Sequence, residues 1–141
     1  MSGELRRLAR LRRLERLRDI AKRTAAAEAA MAEGALAQLE SLAERTRAMA
    51  GSYAVRRQAS DGAALRQLLC FSQALNGISQ STASDAVRAR AAADAKLAEL
   101  AHAERRRAAT GSRADEQARR MAKAALAPSV GARAALGTGL E

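Results

Sequence analysis

The sequence Ser60-Asp61-Gly62 interrupts a chain that otherwise has the composition of long helices. Glycine adopts the left-handed backbone that ends many helices, and an aspartate or a serine caps the helix that follows. We therefore expect one helix to end at this point and a second helix to run back along the first. Residues near the N-terminus then lie beside residues near position 120.

The composition favours such a two-helix structure. Hydrophobic residues make up 48% of the 141 residues, but aromatic residues make up 1%, and much of the hydrophobic total is alanine. Alanine, leucine, arginine and glutamate are strong helix formers, and their dominance is typical of coiled coils. The predicted fold is all-α, an antiparallel two-helix coiled-coil hairpin over residues 1–127. Helix 1 covers about residues 4–58, the bend 59–63 and helix 2 about 64–126.

The C-terminal residues differ from the rest of the chain. Pro128, the single proline, is expected to end helix 2, because proline lacks the backbone N–H that a helix needs. The segment 128–141 contains three glycines and few large apolar residues. We therefore predict a disordered, flexible C-terminal tail over 128–141.

Apolar residues in helix 1 change their spacing along the chain. From Leu5 to Ile20 every third residue is apolar, so these side chains wind around the helix with arginines between them. Further along, two coiled-coil seams are predicted, one residue out of phase, with a stutter near Gly34. The first seam comprises Leu17, Ile20, Thr24, Ala27 and Met31, and the second Leu39, Leu42, Thr46, Met49 and Tyr53.

The densest apolar cluster follows the bend and contains the single phenylalanine. Phe71, Leu75 and Ile78 are spaced i, i+4, i+7 and share one helical face. The sequence leaves equally open whether this face packs against helix 1 or contacts a partner. A separate seam is predicted at Leu65, Leu68, Ser72 and Leu75.

The net charge of +10 is concentrated at the two ends of the chain. Residues 1–23 carry nine Lys and Arg against three Asp and Glu, residues 104–141 carry eight against four, and the residues between them balance. In a hairpin both ends meet, so one pole is strongly basic and the other neutral. A basic pole attracts an acidic protein surface, nucleic acid or anionic lipid.

Catalytic and metal-binding patterns are missing from the sequence. His102 and Cys70 are the only residues of their types, and we expect Cys70 to be a small buried hydrophobe. The sequence shows no glycine-rich phosphate loop and no run of about 18 apolar residues. The first residues lack the apolar stretch and the cleavage site of a secretory signal, so we expect no secretory leader. We predict a cytoplasmic protein that is not an enzyme, with no cofactor, no metal and no transmembrane segment. The basic ends lack aromatic residues to stack on bases, which argues against specific nucleic-acid recognition.

Residues 4–126 resemble the FliJ family, the small coiled-coil proteins of the flagellar type III export apparatus, with YscO-type proteins as injectisome counterparts. The shared features are a basic Leu/Arg N-terminus, an Ala-rich first helix, a break near residue 60 and an Arg-rich second helix. The segment most similar to the family's pattern is Leu68-Leu69-Cys70-Phe71-Ser72-Gln73-Ala74-Leu75-Asn76-Gly77-Ile78.

The resemblance implies a stalk in flagellum biogenesis and protein transport, peripheral to the cytoplasmic face of the inner membrane. In the family the joined terminal ends enter the export ATPase hexamer, and an apolar patch beyond the bend contacts the cytoplasmic domain of the export gate. Export chaperones are a further implied partner. The implied gate contacts are Phe71, Leu75 and Ile78. The implied ATPase-ring contacts are Arg6, Arg7, Arg10, Arg12, Arg13, Arg119, Arg120 and Lys123.

Two other functions remain open from the residues alone. A basic coiled coil can bind nucleic acid or another anionic surface through its arginines. A plain dimerising coiled coil would also show this periodicity.

Overall fold

The computed structural model describes the backbone of residues 2–56 and 61–136, and the side chains of residues 2–56 and 61–127. It contains two α-helices, α1 (Ser2–Ala54) and α2 (Gly62–Leu136), and no strand among the described residues. The two long helices pack against each other, which confirms the predicted all-α two-helix hairpin.

The chain divides into two compact units, each built from a segment of both helices. Unit 1 comprises Met1–Ala25 and Leu100–Glu141, and unit 2 comprises Ala26–Glu99. Unit 1 carries 17 Lys and Arg against seven Asp and Glu, whereas unit 2 carries eight of each. The whole positive excess of the chain therefore belongs to unit 1.

Asp61 caps the N-terminus of α2. Its Oδ1 accepts a hydrogen bond from the backbone N–H of Ala64 at 2.7 Å, as predicted from the residue type. The expected left-handed glycine is wrong, since no described glycine has a positive φ and Gly62 is the first residue of α2. Helix α1 ends at Ala54 instead of about residue 58. Residues 57–60, which include Ser60 of the predicted bend, lie outside the described residues.

The seam of unit 2 follows an uninterrupted alternation of three and four residues, so the predicted stutter near Gly34 is wrong. Of the second predicted seam, Leu39, Thr46 and Tyr53 are confirmed. Leu42 and Met49 are exposed, and the adjacent alanines, Ala43 and Ala50, occupy the seam in their place. Small side chains there allow the two backbones to approach closely. The seam consists of Ala29, Ala32, Leu36, Leu39, Ala43, Thr46, Ala50 and Tyr53 on α1, and of Leu68, Ser72, Leu75, Ser79, Thr82, Ala86, Ala89, Ala93 and Lys96 on α2.

The earlier predicted seam on α1 is also wrong. All five of its residues are exposed, including the large side chains of Leu17, Ile20 and Met31. The α2 seam at Leu68, Ser72 and Leu75 is confirmed, with Leu65 exposed at its edge.

Thr46 and Thr82 form a buried polar pair in the seam of unit 2. Their hydroxyl oxygens lie 3.0 Å apart and share one hydrogen bond. Each hydroxyl also lies within hydrogen-bonding distance of a carbonyl of its own helix, that of Leu42 for Thr46 and that of Ser79 for Thr82. Both hydroxyl groups therefore have hydrogen-bond partners. Because the pair joins one position of α1 to one position of α2, it helps to fix the register of the two helices.

Replacing Thr46 with valine, which has the same shape, is expected to lower the free energy of unfolding by about 1 kcal/mol. The loss arises because Thr82 keeps a buried hydroxyl with one partner fewer. The double variant Thr46→Val/Thr82→Val removes both hydroxyls and is expected to be close to wild type. Urea denaturation of the wild type, the two single variants and the double variant measures the coupling free energy between the two hydroxyls. If the double variant lost the sum of the two single losses, the hydroxyls would not be coupled.

Helix α2 runs without interruption from Gly62 to Leu136 and includes Gly77 and Gly111. Gly111 is buried where α1 approaches, and a Cβ added there would lie 3.1 Å from Glu15 Oε1. The prediction that Pro128 ends helix 2 is wrong, because the backbone stays helical to Leu136. Proline removes one hydrogen bond from a helix and can kink it without ending it. Within the predicted tail, 128–136 is thus helical, and 137–141 lies outside the described residues.

Candidate partner-binding surfaces

The seam of unit 1 contains charged and amide side chains at positions that are apolar in most coiled coils. Glu15, Arg18 and Lys22 occupy consecutive seam positions on α1, and Arg107 and Gln117 occupy seam positions on α2. Charged residues at such positions reduce stability but fix the register and the partner of a helix. The full seam consists of Leu8, Leu11, Glu15, Arg18, Lys22 and Ala25 on α1, and of Leu100, Ala103, Arg107, Thr110, Ala114, Gln117 and Met121 on α2.

An ion-pair network joins the two helices of unit 1. Arg12 donates to Glu15 Oε2 and to Asp115 Oδ1, both at 2.9 Å. The hydrogen bond to Glu15, and then that to Asp115, raise the pKa of Arg12 above its usual value. Arg107 approaches Glu15 at 3.9 Å and Asp19 at 3.6 Å. Glu15 therefore lies between two guanidinium groups that come from different helices.

The network leaves two buried donors unsatisfied. Arg18 Nε and Arg107 Nε are buried and have no hydrogen-bond acceptor. The oxygen of Asp19 nearest to Arg107 Nε, at 3.6 Å, attracts it electrostatically but is too far for a hydrogen bond. Because unsatisfied donors reduce stability, this seam depends strongly on its three carboxylates, Glu15, Asp19 and Asp115.

Many cations of unit 1 are exposed and have no acidic partner among the residues whose side chains are described. Arg6, Arg10 and Arg13 line one side of α1 around Ala9, at spacing i, i+4, i+7. Among the described residues, none of these three forms an ion pair. The same holds for the exposed cations Arg7 and Arg16 on α1, and Arg105, Arg106, Arg113, Arg119 and Lys123 on α2. Exposed Leu5, Leu17 and Ile20 lie between the arginines of α1. The outer surface of unit 1 is therefore both cationic and apolar.

The sequence-predicted ring contacts do not all belong to this surface. Arg12 is held by Glu15 and Asp115, and Arg120 is paired with Glu116 at 2.6 Å. The other six, Arg6, Arg7, Arg10, Arg13, Arg119 and Lys123, are exposed and have no ion pair among the described residues.

The sequence-predicted gate contacts separate into two environments in unit 2. Leu75 is 7% exposed and belongs to the seam, whereas Phe71 and Ile78 are 48% and 50% exposed. The ring of Phe71 meets that of Tyr53 edge-to-face, with 4.8 Å between centroids. The interpretation of Leu75 as a surface contact is therefore wrong for the packed hairpin, because α1 already covers it. Phe71 and Ile78 remain available on the surface.

A second apolar surface near the bend was missed by the sequence reasoning. Leu65 and Leu69 are exposed. Together with Tyr53 they line a groove between the C-terminal end of α1 and the N-terminal end of α2. The guanidinium of Arg56 lies 4.4 Å from the centre of the Tyr53 ring at this groove. The signal was the crowding of leucines after residue 64, which exceeds what one seam can bury.

The described residues offer no group of three or more side chains able to hold a metal ion. Cys70 is exposed, so its expected burial is wrong. No described helix is long and apolar enough to span a bilayer. No family model, curated protein or solved structure matches this chain.

Proposed function

We propose that this chain is a non-enzymatic coupling component of a flagellar type III export apparatus, similar to FliJ, at the cytoplasmic face of the inner membrane. It would bridge the export ATPase hexamer and the cytoplasmic domain of the export gate, with export chaperones as further partners. One observation carries the proposal: unit 1 holds the whole net charge, and its unpaired arginines and exposed leucines lie on its outer surface. Such a surface suits an acidic partner that encloses it.

The arginines available for an enclosing ring are those without internal acidic partners. Arg6, Arg10 and Arg13 present three guanidinium groups on one side of α1, and Arg119 and Lys123 add exposed cations on α2. Arginine forms paired hydrogen bonds with carboxylates, so each can dock one acidic residue of a ring. Because both helices contribute cations, a ring could contact unit 1 from more than one side.

Unit 2 supplies a different kind of surface. It has no net charge, and it exposes Phe71, Ile78 and Leu69 near the bend. Exposed aromatic and branched apolar residues commonly anchor protein interfaces. In the proposal, Phe71 and Ile78 contact the export gate, and Leu75 supports them from beneath.

Reversing the charge of two free arginines, Arg10→Glu/Arg13→Glu, is expected to reduce stimulation of the export ATPase about tenfold at physiological salt. Two attractive contacts become repulsive in this variant, while the seam of unit 1 is untouched. The measurement is ATP hydrolysis and ring assembly of the export ATPase from the same cell, with and without the protein.

The matched control is Arg45→Glu/Arg66→Glu, because both arginines are exposed in unit 2 and neither forms an ion pair among the described residues. It changes the net charge equally and is expected to keep full stimulation. Equal loss in both variants would show that total charge, not the surface of unit 1, is responsible. If the wild-type protein does not stimulate ATP hydrolysis by the export ATPase, the proposal is wrong.

The same unpaired arginines favour a second candidate, a basic coiled coil that binds nucleic acid or another polyanion without sequence preference. Binding to duplex DNA with a steep dependence on salt, together with no effect on the ATPase, would support this candidate. Sedimentation as a stable dimer with neither activity would instead favour a plain dimerising coiled coil.

A further inference from the structure

A groove in unit 1 lies between α1 and α2 and is lined mostly by polar side chains. Its volume is about 200 Å³. It is distinct from the outer side of α1 around Ala9, which is formed by residues of one helix. We call it the arginine groove, and its lining residues are Arg7 and Leu11 on α1 and Arg113, Glu116, Gln117 and Arg120 on α2.

Gln117 is the unusual residue of the arginine groove. It occupies a seam position and is 7% exposed, yet its carboxamide has no hydrogen-bond partner among the described residues. Neither of its carboxamide atoms is among the buried side-chain atoms without a partner, so the amide is open to the groove although most of the residue is buried. Because Gln117 lines the groove, a molecule inside the groove can reach its amide. Its NH₂ group can donate two hydrogen bonds to an acceptor there.

The charges around Gln117 indicate the kind of acceptor. Arg7 and Arg113 have no ion pair among the described residues, and Arg120 is balanced by Glu116 at 2.6 Å. Three guanidinium groups thus face one carboxylate, which leaves an excess of two positive charges. A phosphate group carries about two negative charges near neutral pH and has several oxygens that accept from arginine. A single carboxylate would leave one of these charges unbalanced.

We propose that the arginine groove binds one phosphate group, either as free inorganic phosphate or as the headgroup of an anionic lipid. The guanidinium groups of Arg7 and Arg113 balance its charge from opposite helices, and the amide of Gln117 donates to one of its oxygens. The site does not depend on the proposed coupling function, because its ligand lies between the helices of unit 1. Bound phosphate links α1 to α2 and therefore stabilises unit 1.

In the first experiment the full chain is titrated with inorganic phosphate at low ionic strength. Binding is detected by calorimetry and by broadening of the ³¹P resonance. The reference is the same titration in a chloride buffer that contains no sulfate. Saturable binding with one site per chain is expected, together with a rise in the melting temperature. Arg113→Gln and Gln117→Leu are each expected to weaken phosphate binding about tenfold, since each removes donors to the anion. Arg10→Gln removes an exposed arginine outside the groove and is expected to leave the affinity unchanged.

The Gln117→Leu variant separates a ligand site from a structural role. Leucine fills the seam position with a side chain of similar size, so the hairpin is expected to fold with equal or greater stability while phosphate binding falls. The second experiment measures binding to vesicles of phosphatidylcholine with and without phosphatidic acid. Saturable binding of inorganic phosphate identifies the free anion as ligand, and binding to phosphatidic acid that Arg113→Gln abolishes identifies the lipid headgroup.

The proposal is overturned if neither probe binds. It is also overturned if Arg113→Gln and Gln117→Leu bind both probes as well as Arg10→Gln does. In that case the phosphate is held by general attraction to the basic unit. These outcomes are separate from those of the ATPase experiment, because stimulation of the ATPase is not measured in either titration.

Discussion

Replacing Leu75 with alanine is expected to lower the free energy of unfolding by about 2–3 kcal/mol. Leu75 is 7% exposed and is the one buried leucine among the described residues. The other buried apolar residues in that part of the chain are alanines. Removing it takes away most of the large apolar contact at its layer and leaves a cavity that the helices only partly close. The measurement is urea denaturation followed by circular dichroism at 222 nm.

Ile78→Ala is the matched control for Leu75→Ala. Ile78 lies one turn further along the same helix and is 50% exposed, so its truncation is expected to cost less than about 1 kcal/mol. Under the proposed function, Ile78→Ala should nevertheless weaken binding to the cytoplasmic domain of the export gate. If Leu75→Ala were as stable as Ile78→Ala, Leu75 would not be covered by α1, and its assignment to the seam would be wrong.

The different environments of these neighbours show how much of the fold the sequence predicts. The spacing of Phe71, Leu75 and Ile78 correctly places them on one broad side of a helix, and Asp61 correctly marks the start of α2. Spacing cannot say which of them the other helix covers, because that depends on the register of α1. Leu75 lies at the centre of the seam, and its two neighbours lie on the flank.

Alanine is the reason that the sequence predicts only part of the α1 seam. Large apolar residues normally identify a seam, and this rule favours Leu17, Ile20 and Met31, which are exposed. In this chain, alanines such as Ala29 and Ala50 are buried instead, since they allow close approach of the backbones. Alanine also occurs on every exposed side of both helices, which removes the contrast on which a periodicity argument depends.

For the candidate site too, the composition predicts where the charges lie along the chain, but the packing of the helices decides which charges are free. Charge counts along the chain predict that the basic residues collect at one end of a hairpin. They do not reveal that Arg12 bonds to Asp115, 103 residues away, and so contributes to the seam instead of the outer surface. Gln117 lies three residues after Ala114 at seam spacing, which the sequence shows, but its place in a groove between the helices depends on the pairing of α1 with α2.

Replacing Glu15 with arginine is expected to lower the free energy of unfolding of unit 1 by about 3 kcal/mol. The Glu15 side chain is 19% exposed and lies between Arg12 and Arg107. The substitution removes the partly buried carboxylate that Arg12 and Arg107 share and places a third guanidinium group beside theirs. Arg12 then keeps only Asp115, and Arg107 only Asp19. Hydrogen exchange is expected to show faster exchange of the amides of residues 2–25 and 100–126 than in the wild type.

Charge and size are separated by two further variants. Glu15→Gln keeps the shape beside Gly111 and is expected to give a smaller loss, because it removes the negative charge without adding a positive one. Glu33→Arg makes the same change at an exposed position of unit 2 and is expected to alter stability by about 0.5 kcal/mol or less. Equal losses for Glu15→Gln and Glu15→Arg would mean that the repulsion introduced by the new arginine contributes nothing, and that the lost negative charge accounts for the whole effect.

The salt dependence of Glu15→Arg bears on function as well as on stability. High salt screens the repulsion among the three guanidinium groups, so the loss is expected to shrink as the NaCl concentration rises towards 1 M. The wild-type seam, held by carboxylates between arginines, should respond in the opposite direction. Under the proposed function, an acidic partner that binds the outer arginines would also compete for Arg12 and Arg107. The carboxylates of the seam would then hold these two arginines, while the unpaired arginines outside the seam stay available to the partner.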